Sequence, residues 1–421
     1  MRILHTLNNG IRIIAEKMPH VYSASVGIWI YAGSSDEDMT NNGIAHMIEH
    51  MLFKGTTNRT AKQLADDTAA VGGEINAYTS KEFTSFYACV LSEHLTETIE
   101  LLSDMLNNSL FDEDDLEKEK NIVMDEIDMY KDSPEDVAHE MLQMKVWDSH
   151  PLGFLISGEK DIVKTFTSKQ LREFMNDYYV GENIVISVAG KFDEDTLIKQ
   201  LEKEFAHIKA VGKKKLIDVP VFNNVSYIET KDIEQIHLNL AFPAAPAGAK
   251  NRYAYTVMNN ILGGGVNSRL FMRIREELGL TYSVYSYGST FLNAGLFHIC
   301  ASLNPEQFNT VYSEIQNAII ELRDKGPFDD ELRYAKEQIK TDILLQCESS
   351  KAIMNQNAKD IFLYNEVKEP EHILKMINAI SKQDIKECLE EVTVSGMFGT
   401  AVVGNVNQNL REIVASKNNM C

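Results

Sequence analysis

The chain has 421 residues, enough for two to four domains, and 41 basic against 62 acidic residues give it a formal net charge of −21. That balance excludes nucleic acid as the main partner, because phosphate binding needs a basic surface. No run of about eighteen apolar residues exists to cross a membrane, and the polar N-terminal stretch lacks the apolar core of a signal peptide. Five cysteines (Cys89, Cys300, Cys347, Cys388 and Cys421) are scattered and form no CxxC pair. They read as free thiols of a reducing compartment, so a cytoplasmic location is expected and no cysteine metal site.

In chain order, residues 11–15 and 23–31 read as strands, the second mixing small and apolar residues. A polar loop over residues 33–42 leads into GIAHMIEHMLFKG at 43–55. Ile44, Met47, Ile48, Met51 and Leu52 recur at helical spacing with no proline between them. On such a helix His46 and His50, four apart, point the same way, so both imidazoles can hold one metal ion. Glu49 can lean toward that ion without binding it. This HxxEH order is the inverted zincin signature. The remaining alternative is a buried helix whose histidines bond to backbone.

After the motif, residues 60–71 read as a helix capped by Thr60 and ended by Gly72-Gly73. Residues 74–79 and 84–91 read as strands. Helices are expected at 93–105, 113–130, 134–147 and 169–179, a strand at 184–189 and a helix at 194–205. Residues 207–224, with three consecutive lysines and Pro220, read as a linker. It separates an N-terminal half, 1–206, from a C-terminal half, 225–421. The second half begins with strands at 225–228 and 235–242 and helices at 252–262 and 268–278. Strands at 281–287 and 295–302 follow, then helices at 306–324, 330–347 and 350–363. A helix at 382–391, a strand at 399–403 and a helix at 408–415 close the chain.

The halves look like one unit written twice. NIVISVAGKFDEDTLIKQLEKEF from Asn183 parallels MFGTAVVGNVNQNLREIV from Met397, and the second half carries YAYTVMNNILGGG where the first carries HMIEHMLFKG. Only the first half has the metal motif. A catalytic zinc wants three protein ligands and an open position. The stretch EKEKNIVMDEIDMY offers Glu119 and Glu126, seven apart and hence on one helix face. Glu126 could ligate while Glu119 orients a ligand imidazole. Taken alone, such an acidic helix also reads as a solvated face.

HMIEHMLFKGT, GGEINAYTSKEFTSFYACVL and EKEKNIVMDEI together resemble the pitrilysin-type zinc metallopeptidases, closest to the mitochondrial processing peptidase and its bacterial relatives. The resemblance covers essentially the whole chain. It implies an α+β fold, a duplicated αβ clamshell whose two similar halves enclose a chamber. In that family the third zinc ligand follows the second histidine by about seventy-six residues, and Glu126 lies at that distance after His50. Glu119 fills the family's earlier glutamate. The resemblance further implies one Zn2+ per chain held by His46, His50 and Glu126, with Glu49 as general base. Arg275 and Tyr282, seven apart in IREELGLTYSVYSYGS, match an Arg and a Tyr that the second half contributes to the site. By analogy Asn76, Ala77 and Tyr78 contact an extended peptide added to a sheet edge; the alternative is a protected hairpin edge. Asp136 and Glu140 match acids that receive a substrate arginine, against the alternative of a solvated helix face. The glycine-rich loop, Gly263 to Gly265, is shorter than in the mitochondrial regulatory subunit, which argues against presequence-specific recognition.

The implied activity is zinc-dependent endopeptidase cleavage of peptides or unfolded polypeptide, with arginine favoured near the cleaved bond. The competing classes are a non-catalytic scaffold, like the core subunits of respiratory complexes, and a peptide-binding chamber with vestigial zinc. The oligomeric state stays open between monomer and homodimer.

Overall fold

The strand Ser23–Ile30 shows how this sequence builds its sheets. The structure, a computed structural model, describes residues 2–215, 218–393 and 396–416. Six strands form the first sheet: β1 (Arg2–Thr6), β2 (Arg12–Lys17), β3 (Ser23–Ile30), β4 (Glu74–Thr79), β5 (Thr84–Leu91) and β6 (Ile184–Gly190), in the order β1-β2-β6-β3-β5-β4. Ala24, Val26, Ile28 and Ile30 point into the main core, together with Ile13, Ala15, Ile184, Ile186 and Val188. Trp29 points to the opposite face, where Ile14, Val185 and Ala189 pack against Met354, Ala358 and Ile361. Both faces are covered, so the strand is buried almost throughout and carries small and apolar residues on both faces. The helix Ser350–Tyr364 supplies that second cover. Small residues let it come close: Ser25 and Ser350 hydroxyls lie 2.9 Å apart, and the Ser187 hydroxyl donates to Met354 O at 2.8 Å. A Cβ on Gly27 would stand 2.5 Å from the Met354 sulfur.

The second sheet contains β7 (Val225–Thr230), β8 (Ile236–Ala244), β9 (Thr281–Thr290), β10 (Gly295–Leu303) and β11 (Gly399–Gly404), in the order β7-β11-β8-β10-β9. This is the first sheet's order with β1 removed. The directions match too. β2 runs parallel to β6 and β7 to β11, while the remaining corresponding neighbours are antiparallel. One face of this sheet packs Leu238, Leu240 and Val402 into its own core. The other packs Ala241, Ala401 and Val403 against Val137, Leu142 and Val146 of the helix Pro134–Val146. Gly399 admits that helix, since a Cβ there would meet Val146 at 2.5 Å.

The compact units are therefore discontinuous. One comprises Met1–Asp128, Phe154–Leu216 and Leu345–Val367; the other Met129–Gly153, Ile217–Leu344 and Lys368–Cys421. Each sheet lies wholly on its own side of the expected linker, but each takes one covering helix from across it. The expected halves, 1–206 and 225–421, are contiguous and do not include this exchange, because an apolar helix face carries no label of the sheet it will cover. Residues 207–224 form no helix or strand where described, and Leu216 and Ile217 of this stretch lie outside the described residues. Lys215 is pinned on the first unit, 2.7 Å from Asp36 and 3.4 Å above the Tyr31 ring.

Most expected elements are present within a few residues. Strand β1 and the helices Lys160–Val163 and Pro370–Ala379 were not expected. The helix expected at 268–278 is wound as a π-helix over Phe271–Glu277, with Leu278 N–H reaching Arg273 O at 3.2 Å. No helix among the described residues is long and apolar enough to cross a membrane.

Candidate metal centre

The motif helix runs from Ile44 to Met51 and buries Ile44, Ala45, Met47, Ile48 and Met51. Gly43 precedes it at φ 98°, in the left-handed region that favours glycine. A Cβ there would lie 2.7 Å from Ser157 O. A second helix, Glu113–Asp132, buries Leu116, Glu119, Lys120, Val123 and Ile127, a three-four spacing that turns one stripe inward. Glu119 and Glu126 both face the motif helix.

The three groups expected around a metal come together. The nearest nitrogens and oxygens of His46, His50 and Glu126 all lie within 4.8 Å of one another. Glu126 Oε2 is 3.7 Å from His46 Nε2 and 3.5 Å from His50 Nε2. Tetrahedral ligands about 2.1 Å from a zinc ion stand roughly 3.4 Å apart, so Glu126 stands near ligand spacing from both imidazoles. Glu119 lies on the far side of the ring, with Oε2 3.2 Å from His50 Nδ1, and its other oxygen takes an ion pair from Lys54 at 2.7 Å. That contact holds His50 with Nε2 toward Glu126. His46 Nδ1 is buried with no hydrogen-bond partner among the described residues.

Electrostatics separate the two imidazoles. Burial, and then the neighbouring His50, depress His46 to about 4 despite Glu126, so this ring is neutral as a metal ligand must be. His50 is also penalised by burial, but its hydrogen bonds with Glu126 and Glu119 outweigh that and raise it. Glu49 is raised by burial, while Thr79 Oγ1 donates to its Oε2 at 2.6 Å and opposes the shift.

The other expected residues divide. Asn76, Ala77 and Tyr78 lie on β4, which ends the six-strand order and pairs only with β5 among the described residues. The Tyr78 ring is packed against Trp29, Phe83 and Tyr87. What β4 offers is therefore main chain and alternate side chains rather than a free tyrosine. Arg275 and Tyr282 belong to the second unit and meet each other: Arg275 Nη1 donates to Tyr282 O at 2.9 Å and the guanidinium lies 4.5 Å from the Tyr282 ring centre. Tyr282 is 79% exposed. Asp136 lines a cavity of about 260 Å³ in the second unit with Glu135, His139, Tyr285 and Tyr287. Glu140 is not among its lining residues.

Sequence reasoning missed Lys54, Thr79 and Glu37. Lys54 follows His50 by four residues, a spacing that was available. Thr79 ends the NAYT strand and Glu37 lies in the loop before the motif; neither has a spacing that points to the site. Glu37 is 4% exposed, and burial lifts it to about 7 against three hydrogen-bond donors.

Residues 12–160 match the family described as insulinase (peptidase family M16), and residues 165–339 match the M16 inactive domain. The chain belongs to peptidase family M16, the pitrilysin-type metallopeptidases. It is 39% identical to the uncharacterized zinc protease YmxG of Bacillus subtilis over 90% of this chain and 93% of that one. It is 34% identical to an uncharacterized zinc protease of Streptomyces coelicolor over 92% of this chain and 86% of that one. Among solved structures, the fold is shared with a peptidase M16 inactive domain from Pseudomonas fluorescens, at TM-score 0.90 and 20% identity over 96% and 98% of the two chains. A protease from Helicobacter pylori shares it at TM-score 0.88 and 22% identity over 96% and 99%.

Proposed function

We propose that this chain is a zinc-dependent endopeptidase that cleaves peptides or unfolded polypeptide segments. The observation that carries this reading is the convergence of His46, His50 and Glu126 within 4.8 Å, with Glu49 next to His50 on the motif helix. His46, His50 and Glu126 would hold one Zn2+ per chain, and zinc bound there would polarise the scissile carbonyl and acidify the attacking water. Glu49 takes the water's proton and returns it to the leaving amine, a task suited to a carboxyl raised by burial. Glu119 keeps the His50 ring turned so that Nε2 faces the ligand position. Substrate lies along the open edge of β4, held through the main chain of residues 76–78. Tyr282 donates to the developing oxyanion, and Arg275 both orients Tyr282 and helps hold substrate.

The finer parts of the proposal are an enclosed chamber, a preference for arginine near the cleaved bond through Asp136 and Glu140, and a cytoplasmic location. A peptide library digested with and without chelator, alongside zinc analysis, tests the core of it. Zinc at one per chain and chelator-sensitive internal cleavage are expected. Bound zinc with no cleavage of any unfolded peptide would overturn the enzymatic reading. The chamber adds a size limit: a folded protein should resist while the same protein unfolded is cut.

A further inference from the structure

The motif helix has eight residues, and a helix that short is marginal without outside support. Its first N–H groups need acceptors. At several other helices the preceding residue provides one: Thr60, Thr167, Asp193 and Ser349 each accept from their helix's first turn. Before the motif helix stands Gly43, with no side chain to offer. Its backbone is at φ 98°, and any Cβ would press on Ser157 O at 2.7 Å and Gly158 Cα at 2.9 Å. The usual local cap is sterically barred.

A distant carboxylate replaces it. Glu37 Oε2 accepts from Gly43 N–H at 2.7 Å and from Asn42 Nδ2 at 2.8 Å. Its Oε1 accepts from Ala45 N–H, directly before His46, at 2.9 Å. Negative charge at a helix N-terminus is favourable, and three donors offset the cost of burying it. The loop carrying Glu37 is itself fixed. Ser34 N–H and Ser35 N–H donate to Ser80 O and Lys81 O at 3.2 and 2.7 Å, and Asp36 pairs with Lys215. Ser80 and Lys81 immediately follow Thr79, which donates to Glu49. The end of β4 and the two residues after it therefore anchor both Glu49 and the loop that carries Glu37.

We propose that Glu37 is a positioning residue for the metal centre: through Gly43 and Ala45 it sets the rotation and depth of the motif helix, and so where His46 and His50 stand relative to Glu126. This rests on the zinc-peptidase reading above. The test is a zinc titration of chelator-stripped protein against a competing chromophoric chelator, well below the melting temperature, for wild type, Glu37→Gln and Glu37→Asp. In Glu37→Gln one amide NH2 faces groups that are all donors. Zinc affinity should fall about 10- to 100-fold, as for other residues that orient ligands. Turnover should fall with KM little changed, and Glu37→Asp should recover part of both. A purely stabilising role would lower the melting temperature and leave zinc affinity unmoved, and that result in folded Glu37→Gln would overturn the proposal. If Glu37→Gln does not fold, Asn42→Ala decides: a smaller loss of affinity supports the proposal, and an unchanged affinity overturns it. Failure of the underlying reading looks different. Wild type would then take up no zinc, or bind it and cut nothing, and in the second case the affinity comparison still decides the role of Glu37.

Discussion

The two units share a five-strand order, the directions of its strands and the sequence strand, strand, helix, helix, strand, strand, yet among the described residues only one gathers groups that could hold a metal. In the first unit the leading helix carries His46, Glu49 and His50 and meets two carboxylates from Glu113–Asp132. In the second the corresponding helix, Arg252–Leu262, buries Ala254, Val257, Met258, Ile261 and Leu262, and its Asn259 Oδ1 accepts from the Ser286 hydroxyl at 2.7 Å. One helix gathers groups that could hold a metal at its polar positions, and the other ties itself to its sheet. A duplicated scaffold thus supplies places, while a handful of side chains decides whether chemistry occupies them.

The sharpest way to test that contrast is Glu49→Gln. Zinc content should stay unchanged while kcat falls by roughly a thousandfold or more, because only the proton carrier is lost. Retained turnover in a mass-spectrometric cleavage assay would remove Glu49 from its role and weaken the distinction between the units. Next comes Glu119→Gln, which breaks the ion pair with Lys54 and alters the contact on His50 Nδ1. Zinc affinity, read by chelator competition, should drop by about 10- to 100-fold.

A smaller effect is expected from the second unit's acids. Asp136→Asn together with Glu140→Gln should reduce kcat/KM about tenfold on arginine-containing peptides and leave arginine-free peptides unaffected, as expected for losing a hydrogen bond to a charged group. An equal loss on both peptide sets would sink the arginine preference. Asp136 alone, the one of the pair that lines the cavity, should account for most of the loss. The smallest effect belongs to Asn259→Ala. Losing its bond with Ser286 should cost about 1 kcal/mol and lower the melting temperature by a few degrees. Zinc should remain at one per chain, and a change in zinc content would show that the second unit is not chemically silent.

The HxxEH spacing, the separation of Glu119 from Glu126 and the repeated strand-Gly-helix pattern were all legible in the residues. Each depends on local periodicity, and helix and strand periods are set by the backbone itself. The ends of β6 and β11 show how closely the copies agree, with Gly190 and Gly404 at φ 129° and 133°. What local pattern did not reveal was ownership. Pro134–Val146 and Ser350–Tyr364 read correctly as helices, but each covers the sheet of the unit on the other side of the linker.

The sequence by itself determined that two histidines share a helix face, that two acids share another, and that one unit is written twice, because all of these follow from spacing along one element. Only the tertiary structure decided that those faces meet, that Thr79 and Glu37 serve the same helix, and that the covering helices are exchanged. Apart from Glu37, six residues before Gly43, such contacts join residues far apart in the chain, and their partners are selected by burial and hydrogen-bond satisfaction across the whole fold.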